Sequence, residues 1–195
     1  EDYGDATNEI SVGVCQVSSV VGRGYQARAT FLRSLSLDPY IGNVAALMHF
    51  DGSNGSTAFI DEMGGTVTAY GNAQLSTAWS KFGTASLLLD GAGDYFVIFN
   101  NARLDFGLAD FTIEILWKPG ATGNHGVFHF YPGIPPGTTS GLAVGHDGSA
   151  WQIYANSTAY ARGSAISAGA EYYIALVRTA GSLQFWLNGA PVGAP

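Results

Sequence analysis

Cysteine is almost missing from this chain. Cys15 stands alone, which excludes an internal disulfide framework and any zinc site built from several thiolates. It reads as a small buried apolar residue of a reducing compartment. Charge is scarce too: Asp, Glu, Lys and Arg make up 12% of the residues, about half of ordinary usage. Lys and Arg number 8 against 15 acids, a net −7. Phosphate affinity depends on clustered basic residues, so the main body is not expected to bind nucleic acid. No window holds about 18 uninterrupted apolar residues, so neither a membrane-spanning helix nor a membrane partner is expected. The opening Glu-Asp-Tyr-Gly-Asp lacks the basic and apolar regions of a signal peptide. An initiating Met is also lacking, and "WLNGAPVGAP" stops where a turn should lead into a further strand. The chain therefore reads as an excerpt of a longer polypeptide.

What is present points to strands. Glycine occurs 27 times in 195 residues and 47% of the chain is hydrophobic, a mixture suited to short strands joined by tight turns. Sustained apolar spacing of 3.6 residues is absent. From Ile10 to Leu37 there is no acid, and Arg23, Arg28 and Arg33 give that stretch +3. Composition changes near "LDPYIGNV", where Asp38-Pro39 favours extended or turn backbone. The expected organisation is a β-rich anchoring or linker segment over 1–40 and a larger domain over 41–195. "ISVGVCQVSSVVGRGYQARATFL" suggests one or two strands and is too short to bury a core alone. Residues 10–37 are expected to pack on a partner.

Beyond the boundary "VAALMHF", "TVTAY", "ASLLLD", "DYFVIF", "DFTIEILWK", "GVFHFY", "GLAVGH", "SAWQIYA", "EYYIALVR" and "SLQFWLNG" follow in order, parted by Gly, Ser, Asn, Pro and Asp clusters. About ten short strands at this spacing predict an all-β antiparallel sandwich. In "DFTIEILWK" the set Phe111, Ile113, Ile115 and Trp117 shares one face, the expected core face. Asn188-Gly189 is a hairpin-turn signature, because both residues tolerate positive φ.

The blocks "LMHFDGSNGSTAFID", "GNAQLSTAWSKFGTASLLLDGAGDYFVI", "LDFGLADFTIEILWK" and "YYIALVRTAGSLQFWLNG" together resemble the laminin G-like, concanavalin A-like lectin jelly roll. The version is similar to one found in bacteriophage tail, fibre and other virion proteins. The resemblance runs from about Asp38 to Pro195 and stops before the family's closing strand, so the domain is expected to be incomplete at its C-terminus. It implies a virion protein, assembled in the host cytoplasm, that forms homo-oligomers. Such a protein would contact other virion proteins through residues 10–37, and host-surface glycans or neighbouring virion subunits through its jelly roll. The alternative it leaves open is a carbohydrate-binding module of a secreted or surface bacterial enzyme.

Catalysis is not expected. Retaining glycosidases need two carboxyl groups about 5 to 5.5 Å apart, and Glu114, the one acid within "FTIEILWK", has Leu116 as its next neighbour on the same face. No Gly-x-Ser-x-Gly elbow presents a serine. The histidines His49, His125, His129 and His146 show no helical metal-ligand spacing. Calcium is the one cofactor the acids suggest, since Asp/Asn/Gly loops supply its oxygen ligands. Asp51 and Asn54 in "DGSNGSTAFID", with Asp61, and Asp90 and Asp94 in "LDGAGDY" are the candidates. The competing reading is that Asp-Gly pairs make turns whose Asp side chains accept backbone N–H groups. For sugar stacking the candidates are Tyr131, Trp151, Tyr154 and Tyr160, near loops of the C-terminal half. Core placement competes for each of them.

Overall fold

Alternating apolar and small polar residues, broken every few positions by glycine, favour pleated backbone over helix. The described residues of the computed structural model accordingly form antiparallel strands joined by turns, with 3₁₀ turns at Ile41–Asn43 and Ala102–Leu104. The structure describes residues 19–21, 24–26, 40–99, 102–130, 141–155, 158–163 and 165–193, with backbone alone at 19–21, 24–26, 155 and 158–162. Cys15 and Tyr131 lie outside that set. The chain divides into two compact units, Glu1–Val44 and Ala45–Pro195.

In the first unit, β1 (Ser19–Val21) pairs with β2 (Gly24–Gln26). The second unit opens with two strand pairs. β3 (Thr66–Tyr70) runs against β6 (Tyr95–Phe99), and β4 (Gln74–Ser76) against β5 (Ser86–Leu88). "VAALMHF" is not a strand. Its Leu47 N–H donates to the Asp61 carboxylate and its carbonyl accepts from Glu62 N–H, so this apolar run is held by a loop. Phe50, Phe59 and Phe96 meet edge to face with centroids 5.6–6.2 Å apart. They close a small core over Ala73, Leu75 and Ala85.

Two four-stranded sheets follow. One has the order β11 (Thr158–Arg162), β10 (Trp151–Ala155), β9 (Leu142–Asp147), β8 (Asn124–Phe130). The other runs β14 (Ala190–Val192), β13 (Ser182–Leu187), β12 (Tyr172–Thr179), β7 (Phe111–Trp117). Both contribute to one core: Val144, Trp151 and Ile153 from the first, Ile174, Leu176 and Phe185 from the second, with Phe111 and Trp117 packed against them. The face expected for β7 is thus the one turned inward at both ends of the strand. Turn chemistry follows the sequence as well. Asn188 (φ 51) and Gly189 (φ 79) join β13 to β14, and Ala180 (φ 50) with Gly181 (φ 82) joins β12 to β13, the two positive angles a tight hairpin needs. Arg178 fixes the loop before β7. Its guanidinium donates to the carbonyls of Phe106, Gly107 and Ala109 and lies over the Phe111 ring at 4.9 Å.

Candidate functional site

The four aromatic candidates do not form one surface. Trp151 is fully buried, with Trp117, His146, Tyr172 and Phe185 around its ring at 5.4–6.0 Å. No sugar can stack on it, so its expected binding role is replaced by a structural one at the centre of the core. Its indole N–H is buried without a partner among the described residues. Tyr154, three residues on, faces the other way, because strand side chains alternate. It is 41% exposed, and its register partner Ala143 pairs in turn with the exposed His129. Tyr160 pairs with Ile153 through its backbone. A bulge between Gly126 and Phe128 changes the strand's parity, so His125 packs on Trp117 while His129 is exposed. Partial desolvation of its ring nevertheless lowers the His129 pKa from its ordinary range.

The carboxylates act on the backbone. Asp51 Oδ1 accepts the Thr84 N–H at 2.5 Å and the Thr84 hydroxyl at 3.1 Å. These bonds, the N–H first, hold its pKa below the usual 3.8. Gly83 lies so close to this carboxylate that any Cβ would collide with it. Asn54 Oδ1 accepts from Thr77 N–H at 3.1 Å. Asp61, 5% exposed, accepts from Leu47, Met63 and Gly65 N–H at 2.9–3.0 Å. Asp51 and Asn54 thus secure different segments, against Thr84 and Thr77 respectively.

Asp90 and Asp94 do come together, around Asn72. The Asn72 N–H donates to Asp94 Oδ1 at 2.8 Å and its Nδ2 to Asp90 Oδ2 at 2.9 Å. The Asp90 N–H donates to Asp94 Oδ2 at 2.9 Å, and the Ala92 N–H to Asp90 Oδ1 at 2.7 Å. The Asn72 amide, then the Ala92 N–H, hold Asp90 below the usual carboxylate range. Two carboxylates whose four oxygens each already accept an N–H fall short of the six to eight oxygens that Ca²⁺ takes. Among the described residues, no group of three His, Cys, Asp or Glu converges.

The sequence reading missed the neighbours of this cluster. Tyr70 and Tyr95 are register partners at the end of the β3–β6 pair. Their rings stack with centroids 4.6 Å apart and planes 9° from parallel, and they are 36% and 43% exposed. Tyr95 follows Asp94 directly, and Tyr70 precedes Gly71-Asn72. A legible signal existed: an aromatic at each end of two strands bracketed by the same Asn/Asp/Gly turns. A separate cleft of about 80 Å³, lined by His49, Phe50, Asp51, Ala58 and Phe59 among others, is well below the ~300 Å³ of ordinary small-molecule pockets. Glu114, opposite Ala175 in register, raises the pKa of Tyr173 together with that residue's burial, burial being the larger effect.

No family model, no curated protein and no solved structure matches the chain.

Proposed function

We propose that this protein is a non-enzymatic bacteriophage virion protein, of tail, fibre or capsid decoration, that displays a lectin-like jelly roll for contact with host-surface glycan. The single observation carrying the recognition part is that Tyr70 and Tyr95 expose rings from strand positions outside both buried cores. Rings held on sheet backbone present flat apolar area at little entropic cost. The second support is the resemblance of residues 38–195 to the laminin G-like jelly roll, and the shared core of two antiparallel sheets is compatible with a sandwich. The carboxylates serve turns instead of facing one another across a cleft, so binding is favoured over bond cleavage. In this proposal residues 10–37 join other virion proteins, and homo-oligomers multiply weak single-site contacts on the particle.

A glycan array probed with the full chain, with and without EDTA, tests the reading. Binding to a restricted set of glycans is expected, unchanged by EDTA because Asp90 and Asp94 together offer four carboxylate oxygens, fewer than Ca²⁺ takes. Absence of any bound glycan would remove the recognition role and leave a scaffold protein. Loss of binding and a lower Tm in EDTA would show that calcium holds the site.

A further inference from the structure

We infer that the corner made by Tyr70, Tyr95, Asn72, Asp90 and Asp94 is a binding site for a neutral pyranoside; this rests on the glycan-recognition reading above and names its location and ligand class. The stacked rings cover one face of each other while both residues stay partly exposed, at 36% and 43%, and neither ring belongs to a buried cluster. An aromatic face exposed beside polar groups suits a ligand with an apolar C–H face and a hydroxyl rim. That rim would meet acceptors here. Each oxygen of Asp90 and Asp94 accepts one N–H, and a carboxylate oxygen has room for a second donor. The partner must therefore donate, as sugar hydroxyls do.

The acceptors are fixed before the ligand arrives. Gly71 has φ +68, and a Cβ there would run into the Asp94 carboxylate, so the turn Gly71-Asn72 lies directly against the acid it binds. Preorganised groups lose little entropy on binding. Charge then selects among sugars. Two adjacent carboxylates in a chain of net −7 repel sialic acids, uronic acids and sulfated glycans, and accept uncharged hexosides and N-acetylhexosamines.

The test uses the full chain against multivalent conjugates of neutral and of anionic sugars, comparing wild type with Tyr95→Leu, Tyr70→Leu and, as a control on the other exposed ring, Tyr154→Leu. Leucine keeps apolar bulk and removes the flat face. The expected result is binding to neutral conjugates only, weakened about tenfold or more by either corner substitution and unchanged by Tyr154→Leu. Nitration footprinting of the wild type provides a second readout that needs no variant: a bound neutral sugar should protect Tyr70 and Tyr95 and leave Tyr154 reactive. Preferential binding of anionic sugars overturns the ligand class. Neutral-sugar binding that survives both corner substitutions, or protection of Tyr154 alone, overturns the location while glycan recognition stands. No binding to any sugar defeats both together.

Discussion

Trp151 shows how one side chain can change role between sequence and structure. It lies next to a turn and carries a flat ring, as a sugar platform would. Yet it shares strand parity with Ile153, and both are buried, while Gln152 and Tyr154 take the opposite face. Period-two alternation in "SAWQIYA" already contained that answer; proximity to a loop was the weaker signal. Full burial of a Trp removes on the order of 200 Å² from water, worth about 5 kcal/mol at 25 cal/mol/Å². Trp151→Ala is accordingly expected to destabilise the fold by ~3–5 kcal/mol. Tyr154→Ala should cost under about 0.5 kcal/mol, as ordinary surface changes do. Urea unfolding of the two variants checks the contrast, and equal midpoints would contradict the placement of Trp151. Gly71→Ala is the second sensitive position: a side chain at φ +68, against Asp94, should cost roughly 1–3 kcal/mol, visible as a lower Tm. A neutral result there would mean that the Asn72 turn is not held as described.

Among the elements, β3, β5 to β10, β12 and β13 lie where apolar stretches stand between turn clusters, and the sequence marks all of them. Two strands, β4 and β11, were not legible. β4, "QLS", holds a single apolar residue, and β11, "TAYAR", holds two alanines, a residue depleted in strands, while β14 is the start of the strand expected after the Asn188-Gly189 turn. The reverse error, "VAALMHF", has strand composition but surrenders its backbone to the buried Asp61 and Glu62, a tertiary bond that no local pattern announces. Turns carry an acid signature of their own. Asp51, Asp90 and Asp147 all have pKa values lowered from 3.8, by N–H bonds from Thr84, by the Asn72 amide, and by N–H bonds from Ala150 and Ser149 respectively. Because the folded values lie below the unfolded ones, these acids stabilise the fold above about pH 4, and that contribution is lost as pH falls through the folded values. Tm measured from pH 7 to pH 2.5 should therefore stay level to about pH 5 and drop below about pH 4. A Tm that rises on acidification would contradict the assignment of these carboxylates to turn N–H groups.

At the scale of the whole molecule, the sequence shows all-β architecture and a change of character near residue 40. It does not show that the second unit contains two separate cores, one around Trp151 and one around Leu75. The two are linked at the surface, where Glu171 accepts from Trp79 Nε1 at 3.3 Å and pairs with Lys81 at 2.6 Å. Such an exposed pair contributes no more than about 1 kcal/mol. The corner proposed to bind sugar was half legible: Asp90 and Asp94 stood out as acids, while Tyr70 and Tyr95 become neighbours only through the β3–β6 register. If particles carry many copies, binding to a dense glycan surface should exceed binding to a single sugar by roughly 10²–10⁴, which surface plasmon resonance at two ligand densities would measure.

Recognition without cleavage is the central claim, and saturation-transfer NMR on the full chain with a neutral oligosaccharide tests it most directly. Saturating the tyrosine ring protons should pass magnetisation to the C–H protons of one sugar face, and the oligosaccharide should remain intact through days of incubation. Absence of transfer from any aromatic proton, or the appearance of new reducing ends, would contradict it.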